Sequence, residues 1–83
     1  MLWFLYVGGA MHEITEGDAV CLAAYGGEQI VRRVVAVMGD VVMVSKDEEI
    51  TEARSLGRKP LTVGFPITCV LDVVEPRERG SHP

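Results

Sequence analysis

The apolar positions between residues 19 and 44 fall into three runs that read as strands. In Ala19 to Tyr25, Val20, Leu22 and Ala24 share one face, and Cys21, Ala23 and Tyr25 the other. Glu28 to Met38 is a long β-branched run, and Val41 to Val44 follows it. Gly26-Gly27 and Gly39-Asp40 separate these runs and predict tight hairpin turns, because glycine supplies the positive φ that primed turns need. Glu16-Gly17-Asp18 predicts a turn ahead of the first strand. The pattern is a three-stranded meander.

The period then changes. Ser45 precedes Glu48 at capping-box spacing, Asp47, Glu48 and Glu49 fill a first turn, and Ile50, Ala53 and Leu56 form a narrow apolar stripe. Arg54 in the last turn and Gly57 just beyond it complete a predicted helix over about 46–56. Lys59-Pro60 forces extended chain, and Leu61 to Phe65 reads as a strand stopped by Pro66. Ile67 to Cys69 reads as a short turn, and Val70 to Val74 as the last strand. Residues 76–83, PRERGSHP, form a polar tail.

The N-terminus breaks the alternation. Met1 to Val7 is wholly apolar and ends at Gly8-Gly9. Residues 1–10 are either an upstream extension or a strand with both faces covered, ahead of a single domain over 11–75. So small a chain has little core with which to hide Leu2, Trp3, Phe4, Leu5 and Tyr6. These five residues are therefore expected to pack against a second copy, since exposed apolar surface marks interfaces.

Composition narrows the function classes. The 83 residues suffice for one domain, are 48% hydrophobic and 24% charged, and carry a net charge of −4. Almost every large apolar side chain is needed for the core, which leaves little for a deep catalytic cleft. An acidic chain is a poor general nucleic-acid coat. The seven-residue run at 1–7 falls far short of the ~20 residues of a membrane span and lacks a basic leader, so a cytoplasmic location is expected. Cys21 and Cys69 each lie in an apolar run and read as two buried thiols, with an inter-strand disulfide as the alternative.

The pieces GDAV at 17–20, YGGE at 25–28, RRVVAV at 32–37, GDVVMVS at 39–45 and GRKPLTVGFP at 57–66 resemble SH3-like small barrels. They look like short stand-alone bacterial proteins of unassigned function, some from mobile gene cassettes or environmental DNA. The resemblance covers Glu16 to Val74. It implies a mostly β fold with one inserted helix, either an SH3-like small barrel or a strongly bent antiparallel sheet, and it implies no activity. Separately, RRVVAVMGDVV at 32–42 is similar to the segment around the catalytic lysine of signal peptidases. Here Arg32 and Arg33 hold the basic positions, no lysine is present there, and the first serine is Ser45, so the likeness is one of strand-turn-strand grammar.

Candidate chemistry is sparse. His12, His82, Cys21, Cys69, Tyr25 and the carboxylates show no nucleophile–base set and no metal-ligand spacing, so no catalytic residue, metal or cofactor is assigned. His12 is expected to be exposed. The glycine pairs lack the ending of a phosphate loop. Asp47, Glu48, Glu49 and Glu52 read as a solvated helix start, with a cation or basic-partner site as the alternative. Arg32, Arg33, Arg54, Arg58 and Lys59 form the one candidate binding face. Arg32 and Arg33 must point to opposite sides of their strand, and an inward arginine needs a carboxylate, from Asp72 or the helix start. Tyr25, Phe65 and Pro66 are candidates for a ligand groove, although Phe65 reads as core. The expectation is a non-enzymatic binding or assembly module that self-associates through its N-terminal strand. The alternative is a nucleic-acid or acidic-peptide binder using the arginine face.

Overall fold

A computed structural model describes residues 2–7 and 9–76; the tail beyond Pro76, with His82, lies outside the described residues. The chain is mostly β with one helix. Its elements are β1 (Phe4–Val7), β2 (Ala10–Glu13), β3 (Ala19–Ala23), β4 (Gln29–Met38), β5 (Val41–Ser45), α1 (Asp47–Leu56), β6 (Val63–Pro66) and β7 (Val70–Glu75). β1 and β2 form a hairpin, and the other five strands form one antiparallel sheet in the order β6-β5-β4-β3-β7. The last strand returns beside the first strand of the meander, but the sheet does not close into a barrel.

Alternation makes the core. Val20 and Leu22 of β3, Val34 of β4, Val42 and Val44 of β5, and Val70 and Val73 of β7 are buried together with Ile14 and Ile67. Each such side chain adds about 1.5–3 kcal/mol of burial. β4 is long enough to serve the core twice. Val34 pairs with Val44 and Ala36 with Met43, so Val35 is an extra residue that bulges out of the ladder. Beyond the bulge the inward phase moves by one, and Val37 joins the residues packed on the core. Two further register shifts in the β3–β7 ladder bend the other end of the sheet.

Several sequence expectations are corrected locally. Ser45 does not cap the helix. Lys46 holds the cap position without a side-chain bond, and Ser45, the last residue of β5, donates its hydroxyl to the Leu61 carbonyl at 2.8 Å. A buried hydroxyl at a strand end satisfies itself on the nearest free carbonyl, which here belongs to the segment before β6. Gly26-Gly27 is not a two-residue turn: Tyr25–Gly27 forms a 3₁₀ turn, closed by the Ala24 amide donating to the Glu28 carbonyl at 2.6 Å. Leu56 is 63% exposed, so the apolar stripe of α1 reduces to buried Ala53 and half-buried Ile50. Gly57 ends the helix as expected, in the left-handed region with φ 71°.

The N-terminal segment also differs. It is a hairpin and not a lone strand, with Tyr6 opposite Met11 and Phe4 opposite Glu13. Trp3 and Leu5 pack against the chain's own core. The Trp3 indole donates to the Gly39 carbonyl at 2.6 Å, and the Ile14 amide donates to the Trp3 carbonyl at 2.8 Å. The core is large enough to hide these two because the sheet stays open on the side the hairpin covers.

Candidate functional site

Two surfaces carry the residues singled out by the sequence. The first is the outward face of the β1–β2 hairpin. Strand alternation divides the five apolar residues: Trp3 and Leu5 turn in, while Leu2, Phe4 and Tyr6 turn out with exposures of 65%, 48% and 70%. Met11, cross-strand from Tyr6 and 59% exposed, extends the same face. The sequence alone does not assign Met11 to this face. Reading 10–13 as a strand returning along 4–7 would have placed it there.

The second region bears the arginines, which do not share one face: Arg33 and Arg54 line one hollow, while Arg32 turns to the opposite side of β4 and lines another. Much of their charge is already matched. Arg33 points away from the core side chains of β4. Its guanidinium donates to Asp47 at 2.9 and 3.0 Å, to Glu75 at 3.0 Å and to the Gly17 carbonyl at 3.0 Å. One side chain thus ties β4 to the start of α1, the end of β7 and the turn before β3. The hydrogen bonds to Asp47 raise the Arg33 pKa further above its ordinary value and lower that of Asp47. The second carboxylate is Glu75, not Asp72; Asp72 sits opposite Cys21 in the β3–β7 ladder. Arg58 pairs with Glu49 at 2.6 Å, and Glu49 also accepts the Leu61 amide at 2.8 Å. Both contacts lower the Glu49 pKa, the arginine more than the amide. Arg32, Arg54 and Lys59 make no ion pair among the described residues.

His12 is half-buried, contrary to the exposed position expected. It lies on the same hairpin face as Leu5, and its Nε2 is 3.7 Å from a carboxylate oxygen of fully buried Asp18. That oxygen also accepts the Thr15 amide at 3.0 Å and the Thr15 hydroxyl at 3.4 Å. Asp18 closes the turn between β2 and β3, and its carbonyl accepts the Val34 amide at 2.8 Å. GDAV at 17–20 reads as a turn, but no local pattern signals the burial of this carboxylate.

Both cysteines are free thiols and half-buried. Cys69 packs on the core, whereas Cys21 alternates with the buried Val20 and Leu22 and lies on the other side of β3. Phe65 is half-buried against the core, and Tyr25 is fully exposed. No group of three or more His, Cys, Asp or Glu among the described residues is placed to hold a metal ion. No helix among them is long and apolar enough to cross a membrane. Set against protein families, curated proteins and solved structures, the chain finds no match.

Proposed function

We propose that this protein is a small non-enzymatic assembly module of SH3-like type, which self-associates through the outward face of its N-terminal hairpin. The strand order β6-β5-β4-β3-β7, in which the last strand returns beside the first of the meander, supports the SH3-like reading. The exposed face of Leu2, Phe4, Tyr6 and Met11 carries the assembly reading. At roughly 200 Å² for a large side chain, these four offer about 500 Å² of apolar surface, at the upper end of what monomers usually expose. Two such faces packed together, with neighbouring polar rim, approach the ~800 Å² per partner of a specific interface.

The test uses the whole chain. A form starting at Met11 would also lose Trp3 and Leu5 from the core, so its behaviour would mix unfolding with dissociation. Phe4→Glu and Tyr6→Glu alter only the outward face. Analytical ultracentrifugation at tens of micromolar is expected to show a dimer or higher oligomer for the native sequence and a monomer for the double variant, with circular dichroism unchanged. A native sequence that is monomeric at that concentration overturns the proposal.

Charge distribution favours this reading over the arginine-face binder. Arg33 and Arg58 are committed to carboxylates, and the net charge is −4. Polyanion binding needs free cations aligned on one face.

A further inference from the structure

Arg32 stands in the inward register of β4. Ile30 and Val34, two residues to either side, pack on or within the core, so alternation directs the Arg32 side chain to the same apolar side. It emerges beside the junction of β5 and α1. There, Ile30, Arg32, Val44, Lys46, Leu61 and Phe65 line a cleft of about 280 Å³. Its walls are mostly carbon, and its lining carries two cations and one carboxylate, Glu49. One wall is fixed at Leu61, whose carbonyl accepts from Ser45 and whose amide donates to Glu49.

Among the described residues these cations have no carboxylate of their own. The Arg32 guanidinium donates to the Val31 carbonyl at 2.8 Å, and neither Arg32 nor Lys46 forms an ion pair among the described residues. The nearest acids serve elsewhere: Glu49 holds Arg58, and Asp47 holds Arg33. Glu28 and Glu48, exposed in the adjoining hollow that Arg32 and Lys46 also border, pair with neither. A cation held against apolar walls gains most from an anion that brings its own apolar body, and a guanidinium matches a carboxylate two bonds at a time. Glu49 at the cleft edge is neutralised by Arg58 and does not repel such an anion.

We infer that this cleft binds a small carboxylate with an apolar tail. The carboxylate sits on Arg32 and Lys46, and the tail lies on Ile30, Leu61 and Phe65. The site lies away from the hairpin face and stands whether or not the chain self-associates.

The experiment titrates sodium octanoate into the full-length protein and follows backbone amide shifts by NMR. Saturable shifts are expected at Ile30, Arg32, Lys46 and Leu61 below about 10 mM. Octanol, with the same tail and no charge, and propanoate, with the same charge and almost no tail, are each expected to bind at least about tenfold more weakly. Arg32→Ala weakens octanoate by a similar factor. Should that variant unfold, Lys46→Ala, at an exposed position, gives the same reading in a folded protein. No saturable shift with octanoate overturns the inference, as does octanol binding as tightly as octanoate, or Lys46→Ala leaving octanoate affinity unchanged.

Discussion

At the scale of single residues, Arg33 does more than any other polar side chain. It joins four segments that are distant in sequence, through Asp47, Glu75 and the Gly17 carbonyl. Asp47 and Glu75 are about two-thirds exposed, so solvent screens each pair and the ionic share is modest. The bond to the Gly17 carbonyl and the packing of the arginine stem add to it. Arg33→Ala is expected to cost about 1–2 kcal/mol, or a drop of roughly 5–10 °C in melting temperature for a domain this small. Arg58→Ala, which breaks a pair to a single carboxylate, is expected to lower it less. Equal melting temperatures for the two variants would show that Arg33 is no hub. The same contacts set the acid response. Asp47 is held below its ordinary 3.8 by Arg33, and Glu49 below its ordinary 4.5 by Arg58. A carboxyl lowered on folding contributes stability that is complete above its unfolded pKa and is lost as pH falls through its folded one. Melting temperature should therefore hold between about pH 7 and 5 and decline below about pH 4. Asp47→Asn should start lower and decline less. A decline of the same size in that variant would separate the acid response from this pair.

At the scale of elements, the hairpin β1–β2 is the part whose attachment is least obvious from local signals. It docks by the inward faces of Trp3 and Leu5, by the indole bond to Gly39 and by the Ile14 amide. Trp3 is the single tryptophan, so its fluorescence reports docking directly. Urea unfolding followed by tryptophan emission and by circular dichroism should give one coincident transition, because the hairpin shares the core. An earlier change in emission would show the hairpin undocking on its own. The helix offers a second check at Gly57. A side chain there meets nothing within 4 Å, but φ is 71°, so Gly57→Ala should destabilise by about 1 kcal/mol from backbone strain alone. These elements were legible to different degrees for physical reasons. β3 to β5, α1, the Ile67 turn and β7 follow from period and turn residues, which act locally. The Ser45–Glu48 pattern misled because the hydroxyl found a carbonyl sixteen residues away, at Leu61. The bulge at Val35 has no local signature at all, since Val35 is one valine among several. Alternation opposes Arg32 and Arg33 as expected, but the expectation that the inward arginine holds the carboxylate is corrected: Asp47 and Glu75 meet the outward Arg33, because α1 and β7 come together on its side of β4, which no spacing reveals.

At the scale of the whole molecule, the distribution of charge and apolar surface makes a prediction about solution behaviour that separates the two functional readings. The acidic chain should repel its copies at low ionic strength, while the outward face of Leu2, Phe4, Tyr6 and Met11 attracts them. Apolar contact does not weaken with salt, and screening removes the repulsion. Self-association through the hairpin should therefore tighten or hold as sodium chloride rises from about 0.05 to 0.5 M. Because only the folded chain associates, melting temperature should also rise with protein concentration. Phe4→Glu with Tyr6→Glu should abolish both dependences. Association driven by the arginine face behaves in the opposite way. Its contacts run between exposed cations and acidic groups, which the same salt disperses, and it should survive the hairpin substitutions. A sedimentation series over salt and concentration on these two sequences thus reads the driving force as well as the state. If salt dissolves the oligomer, the hairpin is only a cover for the core, and the residues to pursue are Arg32, Arg54 and Lys59, the arginines and lysine of the candidate face that make no ion pair among the described residues.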